Sequence, residues 1–332
     1  MKKLIPILLI IALTLTGCKY SGKGFTATAF YFDTVITITL YEKNSQLDIN
    51  ACFDLAEKYE NMLSATKEGS EIYKINNNPG NAIYCSDETI ELLLKGIEYE
   101  QLTDGRFSIF CGSVTNLWDF SGENNNIPSS KNLEEACKSV GANNVIIEGN
   151  FVTLTNTATK INLGGIAKGF VADEMVHYLH SIGVKSGVIN LGGNVYVMGS
   201  KPIGDNPYYT IGVQKPFSTS GESICALSLK NKTMVTSGCY ERYFTKNNRI
   251  YHHILDLTTG MPVNNDLYSV TIITDHSVDA DALSTIAYIY GLDEGLKLIE
   301  SIENTEAIFI TSDYEIITTE GLSTNDITIE YQ

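Results

Sequence analysis

Alternation of apolar and polar residues predicts strands in the first part of the chain, and helical spacing predicts the elements that follow. Residues 25–30 and 35–41 alternate in the manner of half-buried strands. An apolar stripe then recurs at helical spacing: Ile49, Phe53, Ala56, Tyr59 and Leu63. The pattern predicts further helices over residues 86–102 and 131–140 and a strand at 151–155. Strands therefore outnumber helices, and we expect a mixed α+β chain.

Residues 161–173 combine a strand pattern, a break and a helix pattern. A second short strand is expected to end at Leu163, Gly164 and Gly165 interrupt it, and helical spacing begins at Ile166. The free N–H groups at a helix start bind anions, and glycines allow a phosphate to approach closely. Lys168 adds a positive charge. A phosphate-binding turn and a purely structural strand-to-helix turn both fit these residues.

The motif Ile-Asn-Leu-Gly-Gly of residues 161–165 recurs at residues 189–193. With the helix between the two copies, this spacing predicts a strand–helix–strand crossover. The second copy continues into a strand at residues 195–198, so the two glycine turns are expected near one another at strand ends. A chance recurrence is the alternative.

Two downstream segments carry candidate chemistry. His253 and Asp256 flank a turn rich in hydroxyls and glycine, which fits either a site or a structural turn. Residues 277–291 read as a helix in which Asp281 and Thr285, four residues apart, share one face. A carboxylate and a hydroxyl in this geometry are hard oxygen ligands for Mg²⁺. Alternatively, Asp281 is one of two first-turn acids, with Asp279, that favour the helix dipole.

The N-terminus predicts export and lipidation. Two lysines and about a dozen apolar residues, too few to span a bilayer, precede Leu-Thr-Gly-Cys18, which resembles a bacterial lipobox. We therefore expect a signal peptide over residues 1–17, a lipidated tether over 18–24 and a single domain over 25–332. The mature protein would be anchored by Cys18 to the outer face of the bacterial cell membrane.

Charge and cysteine content narrow the function classes. Removal of residues 1–17 takes away two lysines and brings the formal charge from −16 to −18. Such an acidic chain repels nucleic acid, so a phosphate ligand must be held by local donors, a metal or both. Six further cysteines are scattered without a Cys-x-x-Cys pair, which argues against zinc or thioredoxin chemistry and favours buried free thiols.

Eight blocks in order resemble the FAD:protein FMN transferase (ApbE) family, and together they cover nearly the whole domain. They are residues 32–41, 70–76, 117–118, 161–173, 190–193, 236–244, 253–262 and 279–285. The resemblance implies a T-fold-related, two-lobed α+β architecture with mixed or antiparallel sheets, flanking helices and a flavin cleft. It also implies transfer of FMN from FAD to a Thr or Ser hydroxyl of an exported or membrane redox protein, with release of AMP.

The resemblance also assigns roles to residues. It implies an Mg²⁺ site at Asp281, Thr285 and the backbone carbonyl of Gly165, and it associates His253 and Asp256 with catalysis, although either His253 or a nearby carboxylate fits the role of base. Flavin or nucleotide contacts would fall on five residues: Phe32, Trp118, Asn162, Lys168 and Ile254. Trp118, the only tryptophan, fits either packing or stacking on a flat ring.

The chain departs from the family pattern at three places. Leu257 stands where a proline usually follows the aspartate, Cys239 stands where a polar residue often follows Ser-Gly, and residues 106–113 lack the usual Gly-x-Phe-Asp-x-Thr-x-Gly-Pro pattern. The last departure affects the expected adenine-side contacts more than the metal site. An FAD pyrophosphatase and a non-enzymatic flavin-binding lipoprotein are the competing functions.

Overall fold

A computed structural model describes residues 24–42, 45–120, 125–218, 221–323 and 328–331. The predicted signal peptide, Cys18 and the tether as far as residue 23 lie outside these residues. Within the described ranges, no helix has both the length and the apolar character needed to cross a bilayer.

Five of the seven α-helices in the described chain precede residue 140, and a run of eight consecutive strands separates the last two helices. The strands are β1 Phe25–Tyr31, β2 Thr34–Leu40, β3 Ile83–Tyr84, β4 Val145–Glu148, β5 Phe151–Leu154, β6 Gly187–Leu191, β7 Asn194–Met198, β8 Tyr209–Gln214, β9 Ser223–Leu229, β10 Lys232–Gly238, β11 Tyr243–Lys246, β12 Arg249–His252, β13 Leu267–Thr274, β14 Glu306–Thr311, β15 Ile316–Thr318 and β16 Thr328–Tyr331. The α-helices are α1 Ser45–Leu63, α2 Glu71–Asn77, α3 Asp87–Leu102, α4 Gly112–Thr115, α5 Ser130–Cys137, α6 Ala167–Ser181 and α7 Ser277–Glu300. Short 3₁₀ turns cover Ala142–Asn144 and Glu320–Ser323.

The main sheet has eight strands in the order β1-β2-β6-β7-β10-β13-β14-β15, and every pairing within it is antiparallel. Because neighbouring strands alternate in direction, the β1–β2 turn, the β6–β7 turn and the end of β10 at Gly238 all lie at one edge. We call this the turn edge of the sheet.

The two faces of the main sheet are covered by different layers. Helices α1, α6 and α7 pack on one face, where the largest apolar cluster joins residues such as Ile38, Tyr59 and Ile286. The three-stranded sheet β16-β9-β8 covers part of the other face, where Leu227 and Val197 share a second cluster. Burial on both faces explains why every residue of β7 is buried.

The predicted α+β class with antiparallel sheets and flanking helices is confirmed. Helix α3 begins where the sequence indicates, because the Ser86 hydroxyl accepts the Thr89 N–H as an N-cap. Helix α5 ends at Cys137, three residues earlier than expected. Helix α7 does not end at Gly291; that residue adopts φ 76° and ψ −174°, and the helix resumes beyond this kink. The six cysteines of the described domain are free thiols.

The predicted strand up to Leu163 is wrong, and with it the strand–helix–strand crossover. The side chain of Asn76 forms hydrogen bonds with both backbone groups of Ile161. Its Oδ1 accepts the Ile161 N–H at 2.7 Å, and its Nδ2 donates to the Ile161 carbonyl at 2.9 Å. The Asn162 N–H donates to the Ile109 carbonyl at 2.7 Å. Side chains and a loop, rather than a neighbouring strand, therefore satisfy the backbone of this segment.

Candidate functional site

The first turn of α6 is capped by a carboxylate from α7. Ile166, at the N-cap position, makes no side-chain cap. Instead, the Gly169 N–H donates to Asp281 Oδ2 at 2.9 Å, and Lys168 Nζ lies 3.5 Å from Asp281 Oδ1. A negative charge is stabilised at this position by the free N–H groups and the helix dipole. The predicted anion-binding helix start and the predicted acid therefore meet at one point.

The two helices hold each other at this point. A Cβ on Gly169 would lie 2.2 Å from the Ser277 carbonyl oxygen, so only glycine permits the approach. In return, Asp173 of α6 accepts the N–H groups of Ser277 and Val278 at 2.8 and 2.9 Å. Burial raises the pKa of Asp173 to about 6, although both hydrogen bonds act to lower it. Each helix therefore supplies the acid that caps the other.

Gly165 has an unpartnered carbonyl beside this junction. The Gly169 N–H is taken by Asp281, and the described chain contains no hydrogen bond to the Gly165 oxygen. Gly165 does not have a positive φ; instead, its missing Cβ leaves room for the Phe107 ring, which would lie 3.1 Å away. Asn162 shapes the same loop, since its Oδ1 accepts the Gly164 N–H at 2.9 Å.

One turn further along α7, the Thr285 hydroxyl lies 3.1 Å from the Ser237 hydroxyl. Ser237, near the end of β10, also contacts Ser284 at 2.8 Å. A hydroxyl has one donor and two lone pairs, so Thr285 keeps acceptor capacity for a cation. Asp279 faces away from this group, because it accepts from the Tyr99 hydroxyl at 2.6 Å and pairs with Lys95 at 3.0 Å. The two acids of α7 thus have different partners.

Glu241 was not predicted from the sequence, yet it belongs to the electrostatic environment of this site. Glu241 keeps a solvent-exposed surface, but the surrounding protein desolvates its carboxyl group and raises its pKa to about 7. Lys168 lowers that pKa and Asp281 raises it, which shows that all three charges act on one another. The only sequence feature that pointed to Glu241 is its place within residues 236–244, one of the blocks that resemble the family.

His253 also responds to the charge of Lys168. Burial lowers the pKa of His253 to about 3, and the positive charges of Arg242 and Lys168 add to this effect. The imidazole is therefore neutral at physiological pH. Its Nδ1 is buried and has no hydrogen-bond partner in the described structure. The His253 N–H donates to the Arg242 carbonyl at 3.1 Å, which joins the histidine to the segment that carries Glu241.

Asp256 organises its own turn. Its carboxylate accepts from the Thr258 N–H at 2.9 Å, the Thr258 hydroxyl at 2.7 Å and the Thr259 hydroxyl at 2.9 Å. Burial acts to raise the pKa of Asp256, but these hydrogen bonds outweigh it, so the pKa is lowered. Ile254, two residues earlier, is buried, and its N–H donates to His252 Nδ1 at 3.3 Å.

Trp118 lies in a separate aromatic cluster. Its indole N–H donates to the Gly260 carbonyl at 2.9 Å, and its ring stacks on Phe120 at 5.5 Å between centroids and 9° between planes. Phe244 and Tyr251 pack beside it. Phe32 lies at the turn edge, in the β1–β2 turn, with a left-handed φ of 55°. Flavin contact by Trp118 and by Phe32 stays a prediction.

Known proteins resemble the chain over nearly its whole length. The family model for the ApbE family matches residues 32–309. The FAD:protein FMN transferase of Klebsiella pneumoniae is 30% identical, with 89% of this chain and 92% of that protein covered. The enzyme of the same name from Treponema pallidum is 28% identical, with 92% and 90% covered.

Solved structures agree with the sequence comparison. The crystal structure of the ApbE protein from Thermotoga maritima superposes with a TM-score of 0.83 and 30% identity over 91% of this chain and 98% of that one. The flavinyl transferase ApbE of Pseudomonas stutzeri shares the fold, with a TM-score of 0.80 at 24% identity, over 91% and 96% of the two chains. This chain belongs to the ApbE family.

Proposed function

We propose that the protein is an FAD:protein FMN transferase that moves FMN from FAD to a Thr or Ser hydroxyl of an exported or membrane redox protein and releases AMP. The observation that carries this proposal is the α6–α7 junction, where Asp281 caps the helix that also presents Lys168 and the glycine loop. The names of the relatives support the same reaction. The proposal includes lipidation at Cys18 and attachment to the outer face of the cell membrane, where such acceptors reside.

The residues at this junction fit Mg²⁺. Asp281 offers a carboxylate, Thr285 a hydroxyl, and Gly165 a carbonyl that accepts no hydrogen bond from the described residues. All three are the hard oxygen ligands that Mg²⁺ prefers. When bound, the ion would neutralise charge on the pyrophosphate of FAD.

The chain's own groups would bind and orient the dinucleotide. The N–H groups at the start of α6 and the Lys168 ammonium bind phosphate oxygens, because both supply positive charge at a glycine-lined surface. In the transfer, the acceptor hydroxyl oxygen forms a bond to the phosphorus of the FMN moiety. The bond from that phosphorus to the bridging oxygen breaks, and AMP leaves with that oxygen.

The proton of the acceptor hydroxyl goes to a side chain of the transferase. His253 is one candidate for this role, since its imidazole is neutral and its buried Nδ1 has no hydrogen-bond partner among the described residues. Glu241 is the other candidate, because its pKa of about 7 lets it gain and lose a proton near neutral pH. The Asp256 carboxylate is already used by Thr258 and Thr259, so we assign it to positioning the loop that carries His253.

The experiment that tests this proposal offers three outcomes. The mature domain is incubated with FAD, Mg²⁺ and a purified exported redox domain that carries a candidate threonine. Fluorescent flavin bound covalently to the acceptor supports the transferase. Free FMN and AMP without labelled protein support the pyrophosphatase, which uses water as the acceptor, and unchanged FAD in a tight complex supports a carrier.

A further inference from the structure

The turn that connects β1 and β2 has an unusual sequence for its backbone conformation. Tyr31 pairs with Thr34, so Phe32 and Asp33 are the two residues of a tight hairpin loop. Their φ values are 55° and 56°, both in the left-handed region. Turns of this kind normally contain Asn-Gly or Asp-Gly, because glycine, asparagine and aspartate tolerate a positive φ whereas bulky residues do not. The turn is therefore strained at Phe32.

A contact from outside the hairpin holds this turn. The Phe32 N–H donates to Glu60 Oε1 at 2.7 Å, and Glu60 belongs to α1 on the helix-covered face of the sheet. Strained backbone persists only where the surrounding structure enforces it, and it concentrates at functional sites. A charge-assisted hydrogen bond to the strained residue itself is such a restraint.

The turn lies on the same edge of the sheet as the candidate site. It neighbours the β6–β7 turn, where the Gly192 N–H donates to the Val35 carbonyl at 3.3 Å and a Cβ would lie 2.1 Å from Thr34 Oγ1. Ser237, which contacts Thr285, is the last residue but one of β10 and lies at this edge. Three strand spacings separate β2 from β10, about 14 Å. An extended dinucleotide bound by α6 can cover that span.

We propose that Glu60 is a positioning residue for the flavin site. Its carboxylate keeps the Phe32–Asp33 turn in the left-handed conformation that presents the Phe32 ring at the turn edge, and it thereby sets the affinity for FAD without contacting FAD. The inference rests on the proposed function, because it takes FAD as the ligand. It adds a residue from α1, outside all eight sequence blocks that resemble the family.

The first test measures FAD binding by flavin fluorescence for Glu60→Ala and Glu60→Gln. In E60A the Phe32 N–H has no hydrogen-bond acceptor, so we expect the left-handed turn to be populated about a tenth of the time. The dissociation constant for FAD should therefore rise about tenfold. The amide oxygen of E60Q still accepts the Phe32 N–H, so this variant stays within about twofold of wild type. In turnover, E60A raises KM for FAD and leaves kcat unchanged, because saturating ligand restores the turn.

The second test is a rescue. Glycine favours the left-handed region, so Asp33→Gly in the E60A background is expected to bring the FAD affinity back to within about threefold of wild type. D33G alone is expected to bind FAD at least as tightly as wild type. Lys67→Ala serves as the control, since Lys67 lies 3.8 Å from Glu60 but plays no part in the turn. Hydrogen exchange at the Phe32 amide should accelerate in E60A and stay fast in the double variant, because neither protein has an acceptor for that N–H.

Each other outcome has a separate meaning. Wild-type protein that does not bind FAD overturns the proposed function itself. Wild-type protein that binds FAD while E60A binds it equally well overturns the role of Glu60 alone. Failure of D33G to rescue E60A, or a loss of affinity in D33G by itself, shows that a side-chain charge rather than the turn conformation controls binding, which also refutes the inference.

Discussion

Replacement of Asp281 by asparagine should abolish Mg²⁺-dependent turnover of FAD while leaving the fold in place. Asp281 is only 3% exposed and accepts the Gly169 N–H, and an asparagine oxygen can accept the same bond. The substitution therefore removes a charge from the α6–α7 junction without removing the capping atom or creating a cavity. An alanine at this position would remove the charge and the capping oxygen together and would leave a cavity. Its effect on activity would therefore be harder to separate from unfolding.

The expected cost in stability is small compared with the expected cost in activity. The lost charge interacts with the α6 dipole, worth about 0.3–1 kcal/mol, and with Lys168, whose side chain is 28% exposed, worth at most about 1 kcal/mol. Relief from desolvating Asp281 offsets part of this, so the net loss is about 1 kcal/mol, or about 1–2 °C in Tm for a domain of this size. Loss of the proposed carboxylate ligand should lower kcat/KM more than 100-fold, which corresponds to more than about 2.7 kcal/mol.

Asp279 provides a matched control on the same helix. Asp279→Asn removes one charge two residues away and weakens the contacts to Tyr99 and Lys95, so its effect on Tm should be similar. Its Mg²⁺ dependence should match wild type, because Asp279 faces away from the junction. The assay follows AMP release from FAD as a function of Mg²⁺ concentration, with Tm measured for each variant.

Two results would refute this reasoning. If D281N keeps wild-type turnover at the same Mg²⁺ concentration, Asp281 is a structural cap and not a metal ligand. If D279N loses Mg²⁺-dependent turnover as completely as D281N does, the start of α7 as a whole is required, and the assignment to one carboxylate is wrong.

Three further predictions concern other parts of the site. Gly169→Ala should lower Tm by several degrees in calorimetry, because the new Cβ would lie 2.2 Å from the Ser277 carbonyl oxygen; an unchanged Tm would contradict the packing described. In the native protein Glu241 has a pKa of about 7, whereas its pKa in the unfolded chain is about 4.5. The free energy of unfolding of the wild type should therefore fall as pH rises from about 4.5 to 7. Denaturant titrations of Glu241→Gln should lack that fall. Trp118→Phe leaves the Gly260 carbonyl without its donor and should cost about 1–2 kcal/mol in urea unfolding. In wild type, FAD should quench Trp118 fluorescence if the indole contacts flavin, and unchanged fluorescence would assign Trp118 to packing alone.

Local patterns were sufficient to predict most elements of the fold. Alternation located β1 and β2, and the serine before α3 located its first turn. Helical spacing also put Asp281 and Thr285 on one face of α7, and these two residues face the α6 junction and Ser237 respectively. Each of these features depends on neighbours within a few residues, which is the range over which sequence periodicity carries information.

Features set by distant contacts were not predictable in the same way. The strand expected up to Leu163 is absent because the side chain of Asn76, which is remote in sequence, binds the Ile161 backbone. The raised pKa of Glu241 cannot be inferred from its place in the Thr-Ser-Gly block, since it comes from desolvation and from the charges of Lys168 and Asp281. The two glycine motifs also differ in backbone conformation, which their shared sequence does not indicate. Gly192 and Gly193 have positive φ in a hairpin, whereas Gly164 and Gly165 do not.

The contact between Gly169 and α7 also fixes when the site can exist during folding. Asp281 lies 112 residues after the amide that it caps, so closing this contact requires one of the longer loops in the chain. A chain that ends before α7 has the glycine loop and Lys168 but lacks the acid, the hydroxyl and the backbone that α6 packs against. Non-local closure of this kind is slow and comes late. We therefore expect the partly folded domain to be unable to bind FAD, so that flavin transfer begins only once nearly the whole chain has folded.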